Sequence, residues 1–87
     1  MTRETTPRPR SFVVYRRSDS SGVSGVGLVM QGVIFGTGKC IINWLTPEPS
    51  GSINIFDSFD MFMDIHVHPH PGNDTRIEFA DGEVIKG

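Results

Sequence analysis

The clearest structural signal in the chain lies at residues 27–45, which read GLVMQGVIFGTGKCIINWL. Apolar residues, several of them β-branched or aromatic, dominate both ends of this stretch, whereas residues 36–39 are Gly-Thr-Gly-Lys, a composition typical of a tight turn. The pattern predicts two strands joined by a short glycine-rich connection. Gly32 interrupts the first strand, and a glycine inside a strand indicates a bulge or a sharp bend. We therefore expect a bent antiparallel hairpin.

The flanking sequence predicts further strands and one helix. β-Branched and aromatic residues, in places alternating with polar ones, mark three strands. They lie at residues 12–17, 52–56 and 75–80. Residues 58–66 predict a helix of about two turns, with Phe59, Phe62, Met63 and His66 on one face. Asp57 is placed to cap this helix, and Asp60 follows three residues later, close to a capping box.

These elements predict a mainly β fold. About five short strands and one short helix fit either a small bent antiparallel sheet or a barrel of the SH3-like or OB-like type. A flat sheet packed on one helix is the competing architecture. Because 87 residues leave room for one core, we assign residues 11–87 to a single small β domain. Residues 1–10 read as a disordered lead-in.

Composition restricts the class of protein. A hydrophobic fraction of 37% is ordinary for a soluble globular chain. Cys40 is the single cysteine, so no disulfide can form within the chain. Neither a signal-peptide core nor a run of about 18 apolar residues is present, so we expect no contact with a membrane. The expected location is the cytoplasm, which is that of the host cell if a phage encodes the protein.

Charge is distributed unevenly along the chain. Residues 1–17 contain five arginines and one glutamate, a balance of +4, whereas the rest contains three basic and nine acidic residues, a balance of −6. Such asymmetry is found in proteins with a basic arm for nucleic acid, and in proteins whose acidic face competes with nucleic acid for a basic partner. It also occurs where charge serves only solubility.

An ordered series of short motifs resembles a known family. The series consists of Ser21–Gly27, Gly32–Phe35, Trp44–Thr46, His66–His68, Gly72 and Thr75–Arg76. It spans residues 12–80 and resembles a family of small β proteins from phages and prokaryotic genomes, to which no activity is assigned. The resemblance implies a compact β domain and a mobile-element context. The sequence departs from the family pattern at residues 69–71, Pro-His-Pro, and in its arginine-containing N-terminal lead.

Three histidines are the weak candidates for a metal site. His66, His68 and His70 alternate along the chain, so their imidazoles could share one side of an extended segment. Asp64 and Asp74 could complete such a site. A metal site, however, normally draws its ligands from separated parts of the chain and needs further side chains that hold those ligands in place. Neither feature is visible in this sequence. We therefore expect His66 to pack at the helix end and no metal to bind.

No catalytic arrangement stands out. Cys40 lies within an apolar strand, where a thiol behaves as a small inert hydrophobe. The serines of residues 18–24 lack the Gly-x-Ser-x-Gly turn of serine hydrolases. We therefore expect a protein that is not an enzyme and uses no cofactor.

A glycine-rich loop is the first candidate binding surface. Residues 22–27 lack the Gly-Lys-Ser/Thr ending of a P-loop, but their N–H groups could form an anion-binding nest beside two arginines. The candidate anion-binding residues are Arg16, Arg17, Ser21, Gly22, Ser24 and Gly25.

An acidic ridge is the second candidate surface. Asp57, Asp60 and Asp64 are spaced three and four residues apart, so they fall on the exposed side of the expected helix. The ridge could dock on a basic partner protein or simply keep the surface hydrated.

The sequence therefore favours a non-enzymatic binding module. The leading hypothesis is a phage or mobile-element accessory protein that engages a host protein or protein complex, for example to inhibit a host defence such as CRISPR. One alternative is a protein that sequesters a nucleotide or another small anion, and a second is metal binding through the histidines. The small core and the unpaired edges of an open sheet also predict a homodimer at micromolar concentration.

Overall fold

The hairpin predicted at residues 27–45 is present and occupies two of the inner positions of a six-stranded antiparallel sheet. The computed structural model of the chain describes residues 6–18, 26–45 and 51–87. Its elements in chain order are β1 (Arg10–Arg16), β2 (Gly27–Ile34), β3 (Cys40–Trp44), β4 (Ile53–Phe56), α1 (Phe59–His66), β5 (Thr75–Phe79) and β6 (Val84–Lys86). The strand order across the sheet is β4-β3-β2-β1-β5-β6. A short 3-10 turn at Pro71–Asn73 precedes β5.

The fold class is confirmed as mainly β with one short helix. The sheet is open, because β4 and β6 lie at opposite edges and, within the described residues, no pairing joins them. The open-sheet alternative therefore holds, whereas the barrel does not form. β6 was not predicted from the sequence; it has only three residues and follows the turn at Asp81 and Gly82. Pairing with β5, including Ile77 opposite Ile85, makes this short segment a strand.

Gly32 serves close packing, and the bulge lies elsewhere. The register shift between β1 and β2 falls between Val14 and Tyr15. A Cβ atom added to Gly32 would lie 2.3 Å from Cζ of Phe12 and 2.9 Å from Cδ1 of Ile42. Gly32 thus leaves the space that the Phe12 ring fills on the neighbouring strand.

Ser58, and not Asp57, caps α1. The backbone of Ser58 is extended, and its hydroxyl accepts a hydrogen bond from the Met61 N–H at 3.1 Å. This is the geometry of an N-cap residue, in which the side-chain oxygen satisfies a free backbone donor of the first turn. The Asp57 carboxylate lies instead 3.3 Å from Nζ of Lys39 at the end of the β2–β3 hairpin.

The hydrophobic core lies between α1 and one face of the sheet. Phe62 is fully buried, and its ring centroid lies 5.7 Å from that of Phe56 and 6.2 Å from that of Phe12. The remaining buried apolar side chains are Val14, Val29, Met30, Cys40, Ile42, Met63, Val67, Ile77 and Phe79. The opposite face, which we call the outer face, points away from α1. In the described ranges, no helix is long and apolar enough to cross a membrane.

Candidate functional site

A basic pocket opens at the end of the sheet where β1 finishes and β5 begins. Its volume is about 440 Å³, which falls within the range of about 300–1,000 Å³ typical of small-molecule sites. Four cationic residues and one acidic residue are among those that line it. The lining residues are Tyr15, Arg16, Arg17, Gly27, Asp74, Thr75, Arg76 and Lys86.

Strand register brings three of these residues into one row. Tyr15 of β1 is paired with Arg76 of β5, and Arg76 is paired with Lys86 of β6. Partners in antiparallel strands project to the same side of the sheet, so the three side chains share the outer face. The Arg76 guanidinium lies 5.3 Å from the centroid of the Tyr15 ring, within reach of a cation–π interaction.

The two arginines predicted to bind an anion have different surroundings. Arg16 projects to the face beneath α1, where it is only 4% exposed. Its Nη2 donates to the His66 carbonyl at 3.3 Å, and its guanidinium lies 5.6 Å from the Trp44 ring. Arg17 is exposed, and its Nη1 lies 3.5 Å from the Asp74 carboxylate. Of these two arginines, Arg17 is therefore the one whose side chain is accessible to a ligand in solution.

The 3-10 turn holds the end of β1 in place. The backbone N–H groups of Arg17 and Ser18 both donate to the Asn73 carbonyl at 3.2 Å, and the Ser18 hydroxyl donates to the Gly72 carbonyl. Asp74 ends the turn with φ of 52°, and its N–H donates to the Pro71 carbonyl. These bonds fix the position of Arg17 relative to the start of β5.

Thr75 lines the pocket, but its side chain is buried. Its partner on β1 is Arg16, so its side chain projects to the face beneath α1, whereas its neighbour Arg76 projects to the outer face. Within the described residues its hydroxyl oxygen has no hydrogen-bond partner.

The structure describes only the C-terminal end of the glycine-rich loop. Ser21, Gly22, Ser24 and Gly25, predicted to form an anion-binding nest, lie outside the described residues. Gly27, at the C-terminal side of the same loop, lines the pocket with φ of 87°.

The three residues of the acidic ridge are exposed, but Asp57 lies before the start of α1 and not on it. Asp57, Asp60 and Asp64 all lie at the surface, with Asp60 and Asp64 one turn apart on α1. One Asp64 oxygen lies 3.1 Å from Nδ1 of His68. Met61 and Ile65, the next residue after each of these two aspartates, are 41% and 49% exposed. Acidic and apolar side chains therefore alternate on the same exposed helix surface.

The three histidines have separate environments. The His66 ring packs 5.4 Å from the Trp44 ring and 5.6 Å from the Phe56 ring. Burial, and then the charges of Arg16 and His70, lower the pKa of His66. His68 and His70 are exposed. Across the described ranges, no three histidine, cysteine, aspartate or glutamate residues are grouped so that they could hold a metal ion.

Cys40 is fully buried beneath α1. Burial raises the pKa of its thiol to about 11, so the reactive thiolate is scarce at neutral pH.

Of the exposed cationic residues that line the pocket, Arg17 was among the candidate residues predicted from the sequence, whereas Arg76 and Lys86 were not. Arg76 is one of the outward residues of the alternating segment at residues 75–80, and this alternation was the available signal. Lys86 belongs to the strand that the sequence did not predict.

Comparison with known proteins identifies a family. No curated protein and no solved structure is significantly similar to the chain. A family model described as Acb5 phage protein matches residues 9–81, which include β1 to β5 and most of the pocket. The match confirms that the resemblance is to a phage family, whereas the ordered series of motifs stays a prediction. The chain belongs to the Acb5 phage protein family.

Proposed function

We propose that this phage protein acts by binding and without catalysis, and that its basic pocket holds a small phosphorylated ligand such as a nucleotide. The observation that carries the proposal is the convergence of Arg17, Arg76 and Lys86, from three separate parts of the chain, on one pocket of about 440 Å³. Arginine provides a planar set of donors that matches the oxygens of a phosphate, and lysine adds a point charge.

Existing ion pairs do not block the site. Arg17 pairs with Asp74 at 3.5 Å, and Arg76 pairs with Glu78 at 2.9 Å. These side chains are all more than a third exposed, and exposed ion pairs contribute only about 0–1 kcal/mol. A phosphate, with more charge and more acceptor oxygens than one carboxylate, can therefore compete for both arginines.

One uncharged group suits the rest of such a ligand. Tyr15 offers aromatic surface beside the cations, and aromatic side chains commonly stack on nucleobases. The pocket therefore combines positive charge with an aromatic ring.

Docking on a host protein or protein complex is the second candidate function. It draws support from the alternation of exposed acidic and apolar residues on α1, because Met61 and Ile65 could enter a partner's surface while Asp60 and Asp64 meet its basic groups. Inhibition of a host defence such as CRISPR would be one result of this docking.

Isothermal titration calorimetry with orthophosphate and with ATP tests the pocket. We expect the double variant Arg76→Gln, Lys86→Gln to bind ATP at least about tenfold more weakly than the parent, which corresponds to about 1.4 kcal/mol. Binding by the parent should also weaken as salt is raised. The matched control is Arg8→Gln, Lys39→Gln, which removes the same charge from exposed positions that do not line the pocket.

The control separates the pocket from general attraction between charges. Affinity close to that of the parent in the control supports the pocket, whereas an equal loss in both double variants contradicts it. Absence of binding to any phosphorylated ligand tested with the parent would also count against the proposal. If the pocket variant still binds a host protein and the double variant Asp60→Asn, Asp64→Asn does not, the second candidate function is favoured.

A further inference from the structure

We infer that the free edge of β4 pairs with β4 of a second copy of this chain, forming a sheet that continues across two molecules. The two edges of the sheet differ in how well they are protected. β4 has the sequence INIF, with no charged residue and no proline, whereas β6 ends in Lys86. Charged side chains and proline are the usual protection against edge pairing, so β4 is the exposed edge of the two.

Exposed apolar side chains reinforce this assignment. Ile53 and Ile55 are 54% and 67% exposed. Their partners on β3 are Asn43 and Ile41, which alternate with the buried Cys40 and Ile42, so both isoleucines project to the outer face of the sheet. Across the described part of the chain, no strand lies beside the outer edge of β4. Its unpaired backbone groups and its two isoleucines are therefore available together.

A second copy fits this edge because the strand is complementary to itself. Two identical strands related by a two-fold axis run antiparallel, which is also the arrangement of every strand pair in this sheet. With the axis at Asn54, Ile53 of each copy lies opposite Ile55 of the other. Such cross-strand apolar pairs stabilise antiparallel sheets.

The small size of the edge sets the expected strength. Pairing between four-residue strands buries less than the roughly 1,200 Å² of standard interfaces, so the dimer should dissociate on dilution. The inference does not depend on the proposed function, because the basic pocket lies on β1, β5 and β6, away from β4. Both pockets of the dimer would stay open.

Sedimentation velocity on the full chain, between about 1 and 100 µM, tests the inference at concentrations suited to a weak interface. We expect mainly monomer at the lowest concentration and a rising fraction of dimer above it. Ile55→Lys and Ile53→Lys should each weaken dimerisation at least about tenfold, because a lysine at this edge opposes pairing. The matched control is Ile65→Lys, a similarly exposed isoleucine on α1, and it should dimerise like the parent.

Hydrogen exchange on the unmodified chain gives a second readout that does not depend on a variant folding. The amides of Ile53 and Ile55, which point away from β3, should become more protected as concentration rises, while those of β6 should not. A monomer throughout the concentration range overturns the inference. So does a dimer that survives both β4 variants, or one that is lost in Ile65→Lys.

Discussion

The two faces of the sheet are built from alternate residues of the same strands but differ in chemistry. On β1 and β5, Val14 and Ile77 project beneath α1 and are fully buried, whereas their neighbours Tyr15 and Arg76 project to the outer face and line the pocket. One face therefore carries the hydrophobic core, and the other carries most of the exposed groups of the candidate pocket. We therefore expect stability and ligand binding to respond to different substitutions.

The largest effect is expected from removing the centre of the core. Phe62→Ala should lower the free energy of unfolding by about 3–5 kcal/mol, because it deletes a fully buried ring and leaves a cavity. Its control is Ile65→Ala on the exposed side of the same helix, which should change stability by no more than about 0.5 kcal/mol. Chemical denaturation measures both. Similar losses in the two variants would mean that α1 is buried on both sides.

A smaller effect is expected where β1 and β2 pack most closely. Gly32→Ala places a methyl group in the space occupied by the Phe12 ring, so the ring must move. Overpacking of this kind costs about 1–3 kcal/mol, again measurable by denaturation. In a protein that already carries Phe12→Leu, adding Gly32→Ala should lower the free energy of unfolding by less than it does in the parent. Unchanged stability of the single variant would show that Phe12 does not need the space above Gly32.

Local sequence patterns were sufficient to predict most of the fold. Alternation and turn residues identified five of the six strands and the helix, because these features depend on neighbouring residues. They failed at β6, whose three residues become a strand only through pairing with β5. They also assigned the helix cap to Asp57, since the choice between two adjacent capping residues depends on where the extended backbone ends.

The candidate site was harder to predict than the fold. Arg17 was included among the candidate residues because it lies beside the glycine-rich loop in sequence, whereas Arg76 and Lys86 reach the same pocket only through the strand order β1-β5-β6. Long-range pairing of this kind leaves no local signal. Arg16 was grouped with Arg17 because they are adjacent, yet strand alternation sends adjacent residues to opposite faces.

A further prediction concerns acid stability and tests the face beneath α1. His66 has a lowered pKa in the folded protein, so the folded state binds fewer protons than the unfolded state, whose histidine pKa is about 6.5. Stability should therefore fall as the pH drops below about 6.5 towards the pKa of the folded state. His66→Gln should lose less stability than the parent between about pH 7.5 and 5, measured by thermal unfolding. An equal loss in both proteins would assign the acid sensitivity to other groups.

The smallest effect on stability is expected at the outer face. Arg76→Gln removes a guanidinium that contacts the Tyr15 ring at 5.3 Å and the exposed Glu78 carboxylate at 2.9 Å. Exposed pairs and exposed cation–π contacts contribute little, so the free energy of unfolding should change by no more than about 1 kcal/mol. Denaturation and calorimetry on the same preparation would give stability and ATP affinity together. If both fall sharply, Arg76 supports the sheet as well as the pocket, and the division between the two faces is incorrect. If affinity falls while stability holds, the outer face is free to vary for binding without cost to the core.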